Sequence, residues 1–371
     1  MQFPVRAVVA VSAAVAMSVG LGACGGGDDN GGGGGGGGGK SAEGGKIALL
    51  LPESKTTRYE RQDKPRFEAR VKEKCPSCEV LYANANQDPA RQQQQAEQAI
   101  TNGAKVIVIS AVDVKSAAAI AQRARQSNVK VISYGRLVAD APIDYYVSID
   151  PFKVGQQQGR ALLDALQKQG KTDARIVMIN GSPQDSNSGP YKRGAHSVLD
   201  GHVKVVKEYD TPDWSPDKAQ TEMEQAITAA GKDGFDGVYV ANDGMAGGAI
   251  AAMKSAGIDP KTRPVTGQDA EAAGVQRILT GEQLMTVYQP IPELAAKAAD
   301  LAVPLAQGKT PPDIATDKVD NGSGEIPSVL LDTVAIFKDN IQDPLIKDGF
   351  LKPSEICTGA YKSACQKQGI A

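Results

Sequence analysis

The sequence predicts an α/β protein of two lobes, each a doubly wound parallel sheet with helices on both faces. Three observations predict it. Short apolar runs alternate with amphipathic segments from Lys46 onward, the rhythm of strand, helix and parallel strand. The strands are too many for one comfortable open sheet. Polar residues recur just past the carboxyl ends of those strands, where open parallel sheets hold their ligands.

In order, the pattern predicts strands at Ile47–Leu51, Glu79–Tyr82, Lys105–Ser110 and Val129–Ser133. Helices fall between them at Phe67–Cys75, Asp88–Ala99 and Val114–Gln126. The rhythm resumes after Asp150. Helix is expected from about Lys153 to Gln169, then strand Arg175–Asn180, helix Gly189–Leu199 and strand Val203–Tyr209. Helix Lys218–Ala230, strand Gly237–Ala241 and helix Met245–Ser255 follow. The glycines of Gly244-Met-Ala-Gly247-Gly248 lack dinucleotide-fingerprint spacing and read as close helix packing. Thr266-Gly-Gln-Asp269 and Thr286-Val-Tyr-Gln-Pro290 both read as strand ends. Asp269 is expected to point a carboxylate into a cleft between the lobes. The segment past Tyr288 is expected to carry the chain back to the first lobe.

The strand-end residues are the candidate site. They are Arg58 and Tyr59 after the first strand, Arg136 after the fourth, and Asp185 and Asn187 after Asn180. Asn242 follows the strand at Val240, and Asp269 follows Val265. Carboxylates, amides and guanidiniums together suit a polyhydroxylated ligand, because each hydroxyl both donates and accepts. The fixed fork of Arg suits two neighbouring oxygens. Trp214 (the sole tryptophan) or Tyr59 offers a flat cover for an apolar C–H face. Any one of these residues also reads as a helix cap or loop hydrogen bond. The set recurring at equivalent strand ends does not.

The N-terminus reads as an export signal. Arg6 precedes an apolar run, Ala7–Leu21, that is too short to span a membrane. The run ends in Leu21-Gly22-Ala23-Cys24, which resembles a bacterial lipobox, with cleavage before Cys24 and lipidation of that thiol. The alternative is an ordinary secretory signal with an incidental cysteine. Residues 24–45 are dominated by glycine and read as a flexible tether.

Length, at 371 residues, allows two domains, and 41% hydrophobic with 23% charged residues is ordinary globular composition. A net charge of −2 argues against a nucleic-acid partner. Only His196 and His202 are available for a histidine-based metal or catalytic site, and no cofactor or metal is expected. Past Cys24 the cysteines form two close pairs, Cys75 with Cys78 and Cys357 with Cys365. In an exported chain these favour two local disulfides. A redox or zinc role for the Cys75-Pro-Ser-Cys78 stretch is the alternative, though it falls at a helix end and not at an N-terminus that would stabilise a thiolate.

Several ordered segments carry a family resemblance over residues 47 to about 310. They are Ser133-Tyr-Gly-Arg136, Ile143–Ser148 with Lys153-Val-Gly155, Gly181–Asn187, Asn242–Ala249, Gly267-Gln-Asp269 and Met285–Tyr288. These resemble the periplasmic sugar-binding proteins of the ribose/galactose type, above all the D-xylose binders. The resemblance implies a two-lobed body with three crossover segments that closes on a monosaccharide and passes it to an ABC permease. It puts Arg58, Tyr59, Arg136, Asp185, Asn187, Trp214, Asn242 and Asp269 at the sugar. Two positions depart. The xylose binders usually have Asp where this chain has Gly135, and Lys where it has Gln289. An acid and a base are exchanged away together, and the pocket gains room at Gly135.

The expected division is a signal at 1–23, a lipidated tether at 24–45, a first lobe of 46–148 with 289–325, and a second lobe of 149–288 with 326–371. Val329–Ala335 reads as the third crossing, and the tail from Asp343 as an extension of the second lobe. A monomer anchored on the outer face of the cytoplasmic membrane follows. Enzyme motifs such as G-x-S-x-G, a P-loop or a zincin helix are missing from the sequence. Asp185 and Asp269 could be imagined as a glycosidase pair, which suits a tethered receptor poorly. A receptor that signals to a membrane sensor without transport stays open, since both outputs use the closed shape.

Overall fold

The computed structural model describes residues 44–370. The signal, Cys24 and the tether through residue 43 lie outside the described residues.

In chain order the strands are β1 (Lys46–Leu51), β2 (Glu79–Asn84), β3 (Ala104–Ile109), β4 (Lys130–Tyr134) and β5 (Tyr145–Ile149). Next come β6 (Arg175–Asn180), β7 (Lys204–Asp210), β8 (Gly237–Val240) and β9 (Thr286–Tyr288). The last are β10 (Asp317–Asp320), β11 (Glu325–Leu331) and β12 (Val334–Ile336). The principal helices are α1 (Lys64–Lys74), α2 (Pro89–Thr101), α3 (Val114–Gln126), α4 (Pro151–Lys168) and α5 (Ser188–Leu199). They continue with α6 (Pro216–Ala230), α7 (Asp243–Ser255), α8 (Ala272–Thr280) and α9 (Ile291–Ala306).

The first sheet has seven strands in the order β10-β11-β5-β4-β3-β1-β2. All its pairings are parallel except β10 with β11. Its central strands are continuous aliphatic runs, such as Val106-Ile-Val-Ile109, because helices cover both faces and no position alternates to solvent. The chain steps from β1 to β2 on one side and then to β3 on the other. This reversal opens a crevice at the carboxyl ends of β1 and β3. The second sheet, β7-β6-β8, is also parallel and reverses at β6. Val265 extends it by a single bridge to Val238.

Aspartates cap three of the helices, α2, α3 and α4, with Asp88, Asp113 and Asp150. The Asp150 carboxylate accepts from the Phe152 and Lys153 amides at 3.0 and 3.2 Å, satisfying donors that the first turn leaves free. Gly248 is a packing residue, as its sequence setting suggests. A Cβ there would lie 2.1 Å from the Pro216 carbonyl oxygen, so α7 reaches α6 only without a side chain at that position.

Three crossings join the halves. The chain leaves the first sheet after Ile149 and returns through Gln289-Pro290 into α9, which packs on β1, β3, β4 and β5. It leaves again after Leu331 into β12, which pairs with β9.

The structure corrects four expectations. Residues 326–331 do not start the second lobe: Ser328–Leu331 pair with Tyr146–Ile149 in the first sheet, so the third crossing falls at Asp332-Thr333. Ile149 likewise stays with the first sheet. Thr286–Tyr288 does not end a parallel strand but forms an antiparallel ribbon with β12, a partner too remote in sequence for the local pattern to reveal. The tail bonds to both halves. Gln276 Nε2 donates to the Ile356 carbonyl at 2.9 Å, while Gln62 and Arg66 of the first half donate to the carbonyls of Phe350 and Gly349. Among the described residues the tail carries one of two disulfides, Cys357–Cys365; the other, Cys75–Cys78, follows α1.

Candidate ligand-binding site

The carboxyl ends of the parallel strands of the two sheets face a common small cavity of about 30 Å³. Arg58, Tyr59, Arg136, Asp185, Asn187, Trp214, Asn242, Asp269 and Gln289 all line it. Every sequence-predicted candidate in the cleft is therefore brought to one place. Thr56, Gly135, Tyr191 and Gln268 complete the wall.

From the first half, a π-helical turn at Tyr59–Asp63 places Arg58 and Tyr59. Arg58 is held by a two-pronged ion pair to Asp63, Nε to Oδ2 at 3.0 Å and Nη2 to Oδ1 at 2.8 Å. Asp63 also accepts from the Tyr134 hydroxyl. Burial pulls the Arg58 guanidinium down, but the Asp63 carboxylate outweighs it and the group stays charged. Arg136 follows β4. Its Nη1 donates to the Ala111 carbonyl at 2.8 Å, and its Nε lies 2.7 Å from Asp185 Oδ2 across the cleft. Both guanidiniums lie over the Tyr59 ring, at 5.2 and 5.8 Å from its centre. Tyr59 thus supports two cations, a role its place in the sequence did not reveal.

From the second half, Asp185 and Asn187 follow β6. Asp185 accepts from the Trp214 indole at 3.1 Å and from the Asn187 amide at 2.9 Å. Trp214 packs edge-on to Tyr191, with ring centres 6.3 Å apart. Asn242 caps α7 with its Oδ1, 3.0 Å from the Met245 amide, which leaves its Nδ2 for the cavity. Asn242 is therefore both the cap and the cavity group that its position allowed.

Asp269 ends the loop after Val265 with φ +88°, and Ala270 follows at φ +49°. The Asp269 amide donates to the Val287 carbonyl at 2.9 Å, which holds the loop on β9. Gln289 links the two signs of charge: Arg58 donates to its Oε1 at 2.7 Å, and its Nε2 donates to Asp269 Oδ1 at 3.0 Å. Burial pushes the Asp269 carboxyl up to about 7, against the pull of Arg58. Sequence reading missed Asp63, Tyr191 and Gln268, since nothing local marks a residue that reaches the cleft from inside a helix or one place before Asp269.

The arrangement offers fixed donors and acceptors on every side of a small cavity, with no nucleophile–base pair among them. The family model for the periplasmic binding protein domain matches residues 47–310. The chain belongs to the periplasmic binding protein family. Its fold, two parallel-sheet lobes with a cleft at the strand ends, is the type I fold of these binding proteins. Among relatives, the D-xylose-binding periplasmic protein of Escherichia coli K12 is 37% identical over 304 residues, covering 81% of this chain and 89% of that protein. The multiple sugar-binding periplasmic receptor ChvE of Rhizobium radiobacter is 35% identical over 286 residues, covering 72% of this chain and 81% of that one. A solved ABC transporter solute binding protein from Clostridium phytofermentans, with β-D-glucose bound, superposes with a TM-score of 0.75. It is 26% identical, and the match covers 84% of this binding protein and 99% of that chain. All three are named as binding proteins or receptors, not as enzymes.

Proposed function

We propose that this protein is the substrate-binding lipoprotein of an ABC sugar importer. It captures a monosaccharide, xylose or a related sugar, between its lobes by hinge closure and delivers it to a membrane permease. The observation that carries this reading is the cavity wall itself. Arg58, Arg136, Asp185, Asn187, Asn242, Asp269 and Gln289 surround it, and each lies within one hydrogen bond of the cavity or of another wall residue. Such a wall supplies both donors and acceptors to a ring of hydroxyls. The names of the relatives support the sugar class.

The lobes and crossings support the mechanism. Asn187 Nδ2 donates across the cleft to the Gly135 carbonyl at 2.8 Å, and Arg136 pairs with Asp185 over the same gap. Opening breaks both bonds and exposes the cavity, so a ligand that bridges the lobes shifts the balance toward closure. Lipidation at Cys24 and the glycine tether would keep the body near the permease while leaving it free to turn.

A thermal-shift screen of the full-length protein against pentoses, hexoses and sugar alcohols tests the reading. A ligand that binds only the folded state raises the melting temperature. Stabilisation by a monosaccharide at low millimolar concentration or below supports it, and no shift with any sugar overturns it. The name of the Rhizobium relative, a receptor, favours a second reading in which the closed form engages a membrane sensor. Reconstitution with permease and ATPase separates the two: sugar-dependent ATP hydrolysis is expected of an importer alone.

A further inference from the structure

We propose that the C-terminal tail is a strap that fastens the closed form from outside the cleft, by gripping the helical turn that carries Arg58. Its effect is to slow release of the sugar. The proposal rests on the hinge-closure reading above and adds to it a part that touches no sugar.

The tail lies beyond the residues that match the family model, which end at 310. It is anchored on the second half. Its short helices, α10 (Pro353–Ile356) and α11 (Lys362–Lys367), pack on α8. Gln276 of α8 donates to the Ile356 carbonyl at 2.9 Å. Leu345, Ile356, Cys365 and Ile370 are buried, so apolar packing seats the tail along with these polar bonds. Tyr288, at the end of β9, meets the Phe350 ring edge-on, with centres 4.9 Å apart. This contact places the tail beside the crossing at Gln289-Pro290.

From there the tail reaches the first half through a clamp of two side chains. Gln62 lies in the π-helical turn Tyr59–Asp63, and Arg66 follows one turn later in α1. Arg66 Nε donates to Gln62 Oε1 at 2.9 Å, so the two side chains fix each other. Gln62 Nε2 donates to the Phe350 carbonyl at 2.8 Å, and Arg66 Nη2 to the Gly349 carbonyl at 2.9 Å. Two successive carbonyls of the tail are thus held by one helical face. The same turn presents Arg58 and Tyr59 to the cleft. Moving the first half away from the tail therefore pulls on the turn that carries both.

The halves do not pack solidly at this flank. A cavity of about 270 Å³ separates them, bounded by Thr57 and Gln62 on one side, Ala272 and Gln276 on the other, and Phe350 and Leu351 of the tail. It adjoins the sugar cavity, with Arg58 and Asp269 common to both walls. Opening at this flank breaks the two clamp bonds without unpacking a core, and a hydrogen bond is lost within about 1 Å of lengthening. Such a fastening is made in the closed form and lost in a single step.

The double variant Gln62→Ala/Arg66→Ala of the full-length protein removes both donors from a partly exposed face. Stopped-flow Trp214 fluorescence reads it, with D-xylose, or with D-glucose where xylose gives no signal. Sugar release is expected to be about tenfold faster than in the parent, with capture changed less than about twofold, because bonds made only in the closed form act on dissociation. Arg66→Lys keeps the charge without the fork and is expected to recover part of the slow release. A merely structural role would lower the melting temperature without separating release from capture. A release rate equal to the parent's, or release and capture altered by the same factor, overturns the strap and leaves the sugar reading intact. If neither sugar binds, small-angle scattering of the ligand-free protein decides. A larger radius of gyration in the double variant then supports the strap, and an equal radius overturns it.

Discussion

Asp269 combines an uncommon backbone with an uncommon charge. Its φ of +88° lies where residues with a Cβ are strained, and the strain persists because the Val287 carbonyl and Thr286 hydroxyl hold the loop on β9. Asp243 braces the same loop from behind. It is fully buried and accepts from Gln283 Nε2 at 2.6 Å, Thr286 Oγ1 at 2.9 Å and the Glu271 amide at 2.9 Å. The Asp269 carboxyl, held up near 7 by burial, is ionised only at some cost. The sign follows from linkage. The folded state binds this proton more tightly than the unfolded chain, so the associated stability is full below about pH 4 and is lost as pH rises through about 7. Asp269→Asn keeps an oxygen to accept from Gln289 and removes the charge. At pH 8 the ligand-free variant is expected to melt about 1–3 °C above the parent, with the difference vanishing toward pH 4. Its sugar affinity is expected to fall about 10- to 100-fold, the worth of a charged hydrogen bond. Melting curves across that pH range and calorimetry check both halves. Equal affinity would remove Asp269 from the site.

Among elements, the short connections carry most of the cavity residues and the long helices position them. The π-helical turn at Tyr59–Asp63 stacks Arg58 on Tyr59 and pairs it with Asp63 in a single turn. The loop before it is tied across the cleft: the Thr57 amide and hydroxyl both donate to Glu271 Oε1, at 2.8 and 3.0 Å. The disulfides sit away from this machinery, closing loops three and eight residues apart in sequence. Each stabilises mainly by restricting the unfolded chain, by roughly 2 kcal/mol for such short loops. Reduction is therefore expected to lower the melting temperature by several degrees while changing sugar affinity less than about twofold. Calorimetry with and without dithiothreitol checks this, and a large loss of affinity would tie a disulfide to the site.

For the whole molecule, the two halves are coupled by bonds that lie on the rim and floor of one cavity. Glu271 with Thr57, Arg136 with Asp185, Asn187 with Gly135, and Gln87 with Asp213 all span it. Glu271 contributes nothing to the cavity wall, so its loss acts on closure rather than on direct contact with sugar. Glu271→Ala is expected to speed sugar release about 5- to 50-fold with a smaller effect on capture, since truncating a bonded charge acts chiefly on dissociation. Stopped-flow displacement measures it, and an unchanged release rate would deny the latch. The proposed lipid anchor makes a prediction at the same scale. Detergent phase separation should place the exported protein in the detergent phase, and Cys24→Ser should move it to the aqueous phase. An unmoved partition would remove the lipid anchor.

The alternation of aliphatic runs and amphipathic helices was legible in the sequence because burial on both faces writes its own period into the chain. The strand-end polar residues were legible for a related reason: in a parallel sheet every carboxyl end lies on the same side, so sequence position already implies convergence. Strand β5 was harder to read, because Tyr145-Tyr-Val-Ser-Ile149 mixes polar and apolar residues and abuts a helix with one intervening residue. The pairing of β11 with β5, and of β12 with β9, could come only from the tertiary structure, since neither partner is near in sequence. The same holds within the cleft. The sequence by itself determined most of the side chains that arrive there, though not Tyr191 or Gln268. The tertiary structure decided that Tyr59 stacks under two arginines and that Gln289 bridges Arg58 to Asp269. Those are contacts between residues from different strands, and their geometry depends on how two sheets meet rather than on any local pattern.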